Sequence, residues 1–328
     1  MLTRRVLLAT GAAAALGGCN ATFAPPDLVP ARPPADSESF VLSDGTRLPC
    51  RSWLPAGAPD TVVLALHGFN DSRDAWEIPA TDFTAAGFAV YAPDQRGFGQ
   101  APGRGLWAGT ARLVGDAADM AGLVRRRHPG ARLVLLGESM GGAILMCLAA
   151  GVRAPAGAQY VLVAPAVWGR ATMNVFLRGG LWLASTIVPT LAVSGAPVRV
   201  TASDNHAALV RLSRDPLTLH STRFDTLRGL VDLMDAAFAS AATFTAPGLF
   251  LYGGRDELVP KGAMAAMWRT LPPGGARTAY YPRDYHLMLR DIERSVPVAD
   301  VVAWVRAPTA PLPSGAERAA SDWLSRQA

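Results

Sequence analysis

The chain has 328 residues, half of them hydrophobic, with 31 Lys and Arg against 26 Asp and Glu for a formal net charge of +5. Setting aside Arg4 and Arg5 at the N-terminus leaves 29 basic residues and an excess of +3, which gives no reason to propose a nucleic-acid partner. No glycine-rich phosphate loop with its lysine is present (Lys261 is the only lysine), and no His, Cys or carboxylate set has metal-ligand spacing, so neither cofactor nor metal is expected.

Thr3-Arg4-Arg5 is followed by an apolar run from Val6 to Leu16 and then Gly17-Gly18-Cys19. A basic start, a short apolar core and small residues before a cleavage point describe an export signal. The core falls well short of the roughly 20 residues a membrane span needs. Cys19 after Leu16-Gly17-Gly18 resembles a bacterial lipobox, which implies a signal peptide over 1–18 and a lipidated Cys19 as the first mature residue. Arg4-Arg5 also resembles a twin-arginine signal, with general export as the alternative. Residues 19–37 hold Pro25, Pro26, Pro30, Pro33 and Pro34 and read as an extended spacer outside the core. The expectation is a protein lipid-anchored on the periplasmic side of a bacterial envelope, since two or more acyl chains attach stably. Asn20, not an aspartate, favours the outer membrane. Simple secretion or an uncleaved anchor is the bland alternative. The other two cysteines, Cys50 and Cys147, are expected as buried thiols, although a periplasmic location permits a disulfide.

The folded domain is expected over 38–308. Ser39 to Leu42 and Leu48 to Leu54 read as a hairpin around Asp44-Gly45. Short apolar strands then alternate with helical stretches: Thr61 to Leu66, Phe88 to Tyr91, Arg132 to Leu136, Tyr160 to Ala164, Gly248 to Tyr252 and Thr278 to Tyr281. This pattern argues an α/β fold whose mostly parallel sheet carries helices on both faces. The interval from about 165 to 246 is too long for a loop and is read as a helical cap inserted after the sixth strand. Its first part, with Trp168, Phe176, Leu177, Leu181, Trp182, Leu183, Ile187 and Val188, is strongly apolar, and most of those residues are expected to pack against the core domain. Some are expected to line an acyl pocket or touch lipid, with Trp182 and Phe176 the residues to test. Residues 309–328 are expected as a partly helical tail.

Gly137-Glu138-Ser139-Met140-Gly141 sits between an apolar strand and an apolar helix, so Ser139 occupies the apex of a sharp strand-to-helix turn. Glycines two residues to either side leave room for the crossing strand and helix. A serine hydroxyl needs a base and an acid to orient it, in the order Ser, Asp or Glu, His. Asp256 follows the Gly248 to Tyr252 strand, with Glu257 as its nearest competitor, and His286 follows the last strand. His67, His128, His206 and His220 are in the wrong places for the base; His67 is expected to tie its loop to a neighbour. Two amides must receive the oxyanion: Met140, next after the nucleophile, and Phe69, after the Thr61 to Leu66 strand.

His67-Gly68-Phe69, Asp94-Gln95-Arg96-Gly97-Phe98-Gly99, Gly137 to Gly142, Asp215-Pro216-Leu217, Gly253-Gly254-Arg255-Asp256 and Tyr285-His286 together resemble the α/β-hydrolases. The closer resemblance is to their monoacylglycerol lipase and lysophospholipase branch, sometimes grouped with serine aminopeptidases. It covers roughly residues 38 to 308 and implies Ser139 as nucleophile, Asp256 as orienting acid, His286 as base and the Phe69 and Met140 amides as oxyanion donors. The implied activity is cleavage of carboxylic esters of lipid-like alcohols through an acyl-enzyme, with no cofactor. The residue after His-Gly is usually small in this branch and here is Phe69, so acyl-length preference does not transfer. An acyltransferase or an aminopeptidase would use the same triad, and a non-catalytic envelope lipoprotein would use only the fold.

Overall fold

The computed structural model describes residues 21–22, 38–194 and 200–327. The proposed signal peptide, Cys19 and most of the proline-rich spacer lie outside the described residues. Eight strands form the central sheet: β1 (Ser39–Val41), β2 (Arg47–Trp53), β3 (Thr61–Leu66), β4 (Phe88–Pro93), β5 (Arg132–Glu138), β6 (Gln159–Val163), β7 (Gly248–Gly253) and β8 (Ala276–Tyr281). Their spatial order is β8-β7-β6-β5-β3-β4-β2-β1. The six strands from β3 onward pair in parallel, and only β1 and β2 run antiparallel. β3, β4 and β6 are buried along their whole length, as strands covered on both faces must be.

Alternate side chains of each strand serve two cores. In β3, Val62, Leu64 and Leu66 face one side, and Val63 and Ala65 the other. The first side is covered by α2 (Thr110–Arg127), α3 (Met140–Ala149), the cap helix α6 (Phe224–Ser240) and α7 (Lys261–Thr270). The second is covered by α1 (Glu77–Ala85) and α8 (Ser295–Arg306). The segment beyond 308 carries α9 (Ala316–Ser325), which closes the β8 edge. There Trp323 stacks on Tyr280 with centroids 4.9 Å apart, and Glu317 takes a two-pronged ion pair from Arg277. Cys50 is buried, Cys147 is half-buried, and both are free thiols.

The cap contains α4 (Val175–Ile187), α5 (His206–Arg214) and α6. It also holds a small antiparallel ribbon of Ala192–Ser194 with Ser221–Arg223, joined by Ala21–Thr22 from the N-terminal region. Polar contacts fasten it to the sheet domain. Arg104 donates to the carbonyls of Pro216 at 2.8 Å and Leu217 at 3.0 Å, and Asn70 O accepts from Leu219 N at 2.8 Å. Asp215 Oδ1 accepts from Leu217 N, so Asp215-Pro216-Leu217 makes the turn that presents those carbonyls.

One sequence expectation fails in the cap. Most of α4's apolar side chains do not pack inward: Phe176 is 84% exposed, Ile187 68% and Trp182 61%. The inward position is already filled by α6, whose Leu230, Leu233 and Ala237 belong to the core, and α4 lies outside it. Among the described residues no helix is long and apolar enough to cross a membrane.

Candidate active site

The turn between β5 and α3 holds Ser139 at φ 53°, ψ −113°, a conformation costing a non-glycine residue about 1–3 kcal/mol. Neighbours hold it there: Ser139 N donates to Val163 O at 2.9 Å, and Ser139 O accepts from Ala166 N at 2.9 Å. The flanking glycines are steric requirements. A Cβ on Gly141 would lie 2.2 Å from Leu66 O, and one on Gly137 2.5 Å from the Gly141 carbonyl carbon. β3, β5 and α3 could not cross so closely otherwise.

Asp256 and His286 are brought together from separate loops after β7 and β8. His286 Nδ1 is 2.7 Å from Asp256 Oδ2, and both residues are buried. The other carboxylate oxygen, Oδ1, accepts the amides of Leu258 at 2.7 Å and Val259 at 2.9 Å, which fixes the plane of the acid. Those bonds also mean that Asp256 does not cap α7, which begins after Pro260. Burial by itself would lower the His286 pKa, but the charge and hydrogen bond of Asp256, helped by Glu138, raise it above its ordinary value. Glu257 turns away and accepts from Thr201 N in the cap. His206 and His220 are exposed, and His128 meets Tyr91 Oη at 2.8 Å.

The loop after β3 is held by His67, which is fully buried. Its Nε2 accepts from Gln95 N at 3.1 Å and its Nδ1 lies 2.8 Å from Gly68 O, which sets the tautomer with the proton on Nδ1. Gln95 Nε2 in turn donates to His67 O. Burial lowers the pKa of this histidine, in keeping with a neutral, structural ring. Asp94 accepts the amides of Arg73 and Gln100, so the Asp94 to Gly99 stretch braces the loop that carries Phe69. Among the described residues neither Phe69 N nor Met140 N donates a hydrogen bond. The Phe69 ring leans edge-on against Phe98, with centroids 5.6 Å apart.

Ser139, His286 and Phe69 line one cavity of about 330 Å³, whose other walls include Trp168, Leu230 and Met234. A larger cleft of about 600 Å³ lies between α4 and α6. None of the candidate site residues lines it, so the smaller cavity is where the chemistry belongs. Sequence reasoning missed three charged residues: Asp71 and Glu138 on the wall of that cavity, and Arg290, which binds both. Arg290, Asp71 and Glu138 form a buried ion network around Ser139. Glu138 sits within the serine motif itself, and a carboxylate buried beside a nucleophile was the available sign that a cation must face it.

The strand order, the strained serine turn and the buried Asp–His pair define an α/β-hydrolase. The chain belongs to the serine aminopeptidase S33 family, whose model matches residues 57–293. It is similar to the monoacylglycerol lipase of Mycolicibacterium smegmatis, 27% identical over 81% of this chain and 95% of that one. The human monoglyceride lipase is 25% identical over 85% of this chain and 93% of its own. Among solved structures, a soluble variant of monoglyceride lipase from Saccharomyces cerevisiae in complex with a substrate analog superposes with a TM-score of 0.69. It has 19% identity and covers 86% of this chain and 95% of that one. The monoacylglycerol lipase of Paleococcus ferrophilus gives a TM-score of 0.61 at 22% identity, covering 86% and 99%.

Proposed function

We propose that this protein hydrolyses the carboxylic ester bond of a lipid-like substrate, a monoacylglycerol or a lysophospholipid, through an acyl-enzyme on Ser139. His286 takes the Ser139 proton as the hydroxyl attacks the ester carbonyl. The Phe69 and Met140 amides receive the oxyanion, and the start of α3 adds its favourable dipole. His286 then protonates the leaving alcohol, and the same histidine activates the water that releases the fatty acid. Asp256 orients the imidazole and stabilises its cation. The observation that carries this reading is the apolar cavity that Ser139 shares with an Asp256-bonded His286. The similarity to monoacylglycerol lipases supports the substrate class.

An aminopeptidase would need an unengaged carboxylate for the substrate's ammonium group. The carboxylates on the cavity wall, Asp71 and Glu138, are both occupied by Arg290, which favours the ester substrate. An acyltransferase uses the same steps with an alcohol in place of water. The localisation half of the proposal is a lipidated Cys19 that holds the enzyme on the periplasmic side of the envelope, with the outer membrane favoured by Asn20. The partner is thus a membrane as well as a small lipid.

Hydrolysis of p-nitrophenyl esters and 1-monoacylglycerols of increasing acyl length tests the reaction, with Ser139→Ala beside the wild type. Turnover should fall by at least about a thousandfold in the variant while its melting is retained. Unchanged turnover in Ser139→Ala overturns the mechanism. Transfer to an added alcohol in preference to water moves the reading to an acyltransferase.

A further inference from the structure

Arg290 is a buried arginine that the chemistry above does not use. It ends the short turn Met288–Arg290, four residues beyond His286, and is 5% exposed. Its Nη2 donates to Asp71 Oδ2 at 2.9 Å and to Glu138 Oε1. Each partner belongs to a different segment. Asp71 lies two residues past Phe69 in the loop after β3, and Glu138 immediately precedes Ser139 at the end of β5. One guanidinium therefore joins the segments that carry an oxyanion amide, the nucleophile and the base.

Stability is a poor reason for such a network. Withdrawing a cation and two carboxylates from water is costly, and a packed apolar trio is often as stable or more so. Both bonds instead leave from one nitrogen, Nη2, so the reach of the side chain and its planar head set where the two carboxylates meet. We propose that Arg290 and Glu138 are positioning residues for the Ser139–His286 pair. Arg290 fixes the three loops relative to one another, and the Glu138 carboxylate supports the imidazolium that forms when Ser139 gives up its proton. This inference rests on the triad reading above.

The charged groups around His286 are Asp256 from the loop after β7, Glu138 from β5, Asp71 from the loop after β3, and Arg290, Asp284 and Asp291 from its own loop. Glu138 raises the His286 pKa and Arg290 opposes it. Burial pushes the Glu138 carboxyl up, while Arg290 draws it back toward the ionised form. The network thus maintains a negative charge beside the base without letting it pair with the imidazole in place of Asp256.

The test measures the rate at which a fluorophosphonate labels Ser139 in the full-length protein, from about pH 4 to about pH 9, which requires no knowledge of the natural substrate. Glu138→Gln keeps the shape and removes the charge. Its acid limb should move to lower pH by roughly half to one unit, with a reduced plateau. Arg290→Lys keeps the charge but shortens the reach and loses the planar head. It should leave the limb in place and lower the plateau by about 10- to 100-fold. Thermal melting of each variant separates positioning from folding: a purely structural role would lower the melting temperature without moving the Glu138→Gln limb, and would leave the plateau of an Arg290→Lys protein that melts like the wild type unchanged. A folded Glu138→Gln with the wild-type limb and plateau overturns the proposal, and it decides alone if Arg290→Lys does not fold. If wild-type Ser139 is not labelled at all, the triad reading falls and this inference falls with it.

Discussion

Asp284 stands two residues ahead of His286, is 8% exposed, and has a side-chain oxygen, Oδ2, with no hydrogen-bond partner among the described residues. Burial, then the nearby carboxylates of Asp291, Asp204 and Glu293, push its pKa up to about 7, and Arg283 only partly opposes them. An unfolded aspartate loses its proton near 3.8. Between these two values the folded chain holds a proton that the unfolded chain has released. Stability contributed at this site therefore falls as pH rises through that window, and the deficit is complete above about 7. Asp284→Asn removes the titration and should raise the melting temperature at about pH 8 by several degrees, while changing little at about pH 4, a difference of a few kcal/mol at most. Equal melting of variant and wild type at both values would sink this account. The contrast with Ser139, Asp256 and His286 shows what a sequence displays. Each of those three sits just past a strand, inside a local pattern of glycines or turn residues, so its position is readable from its neighbours. Arg290 meets Glu138 and Asp71 across 152 and 219 residues of chain, and no local pattern links them.

At the scale of the element, the same distinction separates the sheet from the cap. The inner strands were legible because a buried strand must be a short apolar run, β1 and β2 because Asp44-Gly45 marks their turn, and the observed limits differ from the expected ones by no more than two residues. α4 was legible as apolar but not in its orientation, because an apolar pattern states that a face avoids water without stating what covers it. In the folded chain α6 takes the inward place, and α4 presents Phe176, Leu177, Trp182, Leu183 and Ile187 outward. An uncovered apolar face of this kind, on the helix packed outside α6, would suit contact with a lipid phase if the proposed substrate is drawn from one. Phe176→Ser with Trp182→Ser should therefore leave folding and turnover of a short soluble ester unchanged. On the proposed reading, turnover of a monoacylglycerol presented in phospholipid vesicles should fall about 3- to 10-fold, because each substitution removes the apolar contact its ring would make with the bilayer. Equal losses on both substrates would show that α4 shapes the cavity and not the approach to it.

For the whole molecule, the proposed function raises the question of how an enzyme with a cavity on its cap side would meet a lipid ester held in a membrane. The ribbon strand Ala192–Ser194 follows α4, and Ala21–Thr22 pairs with it. A lipidated Cys19 would therefore precede, by two residues of sequence, a strand of the cap ribbon. Covalent chains would confine the enzyme near the surface, so that weak contacts by α4 would act at high effective concentration. The two contributions predict different losses. In a cell expressing the full chain, Cys19→Ser should move the protein from the detergent phase to the aqueous phase on cloud-point partition. It should also cut turnover of vesicle-borne monoacylglycerol by more than the α4 double substitution does, with the soluble-ester rate unchanged. The α4 variant should stay in the detergent phase, because it keeps Cys19 and with it the proposed anchor. If Cys19→Ser partitions like the wild type, Cys19 carries no anchor, and α4 or an uncleaved apolar leader must account for any membrane attachment. If both variants partition as expected but vesicle turnover responds only to Cys19, α4 faces water in the working enzyme, and the lipid must reach Ser139 by leaving the bilayer first.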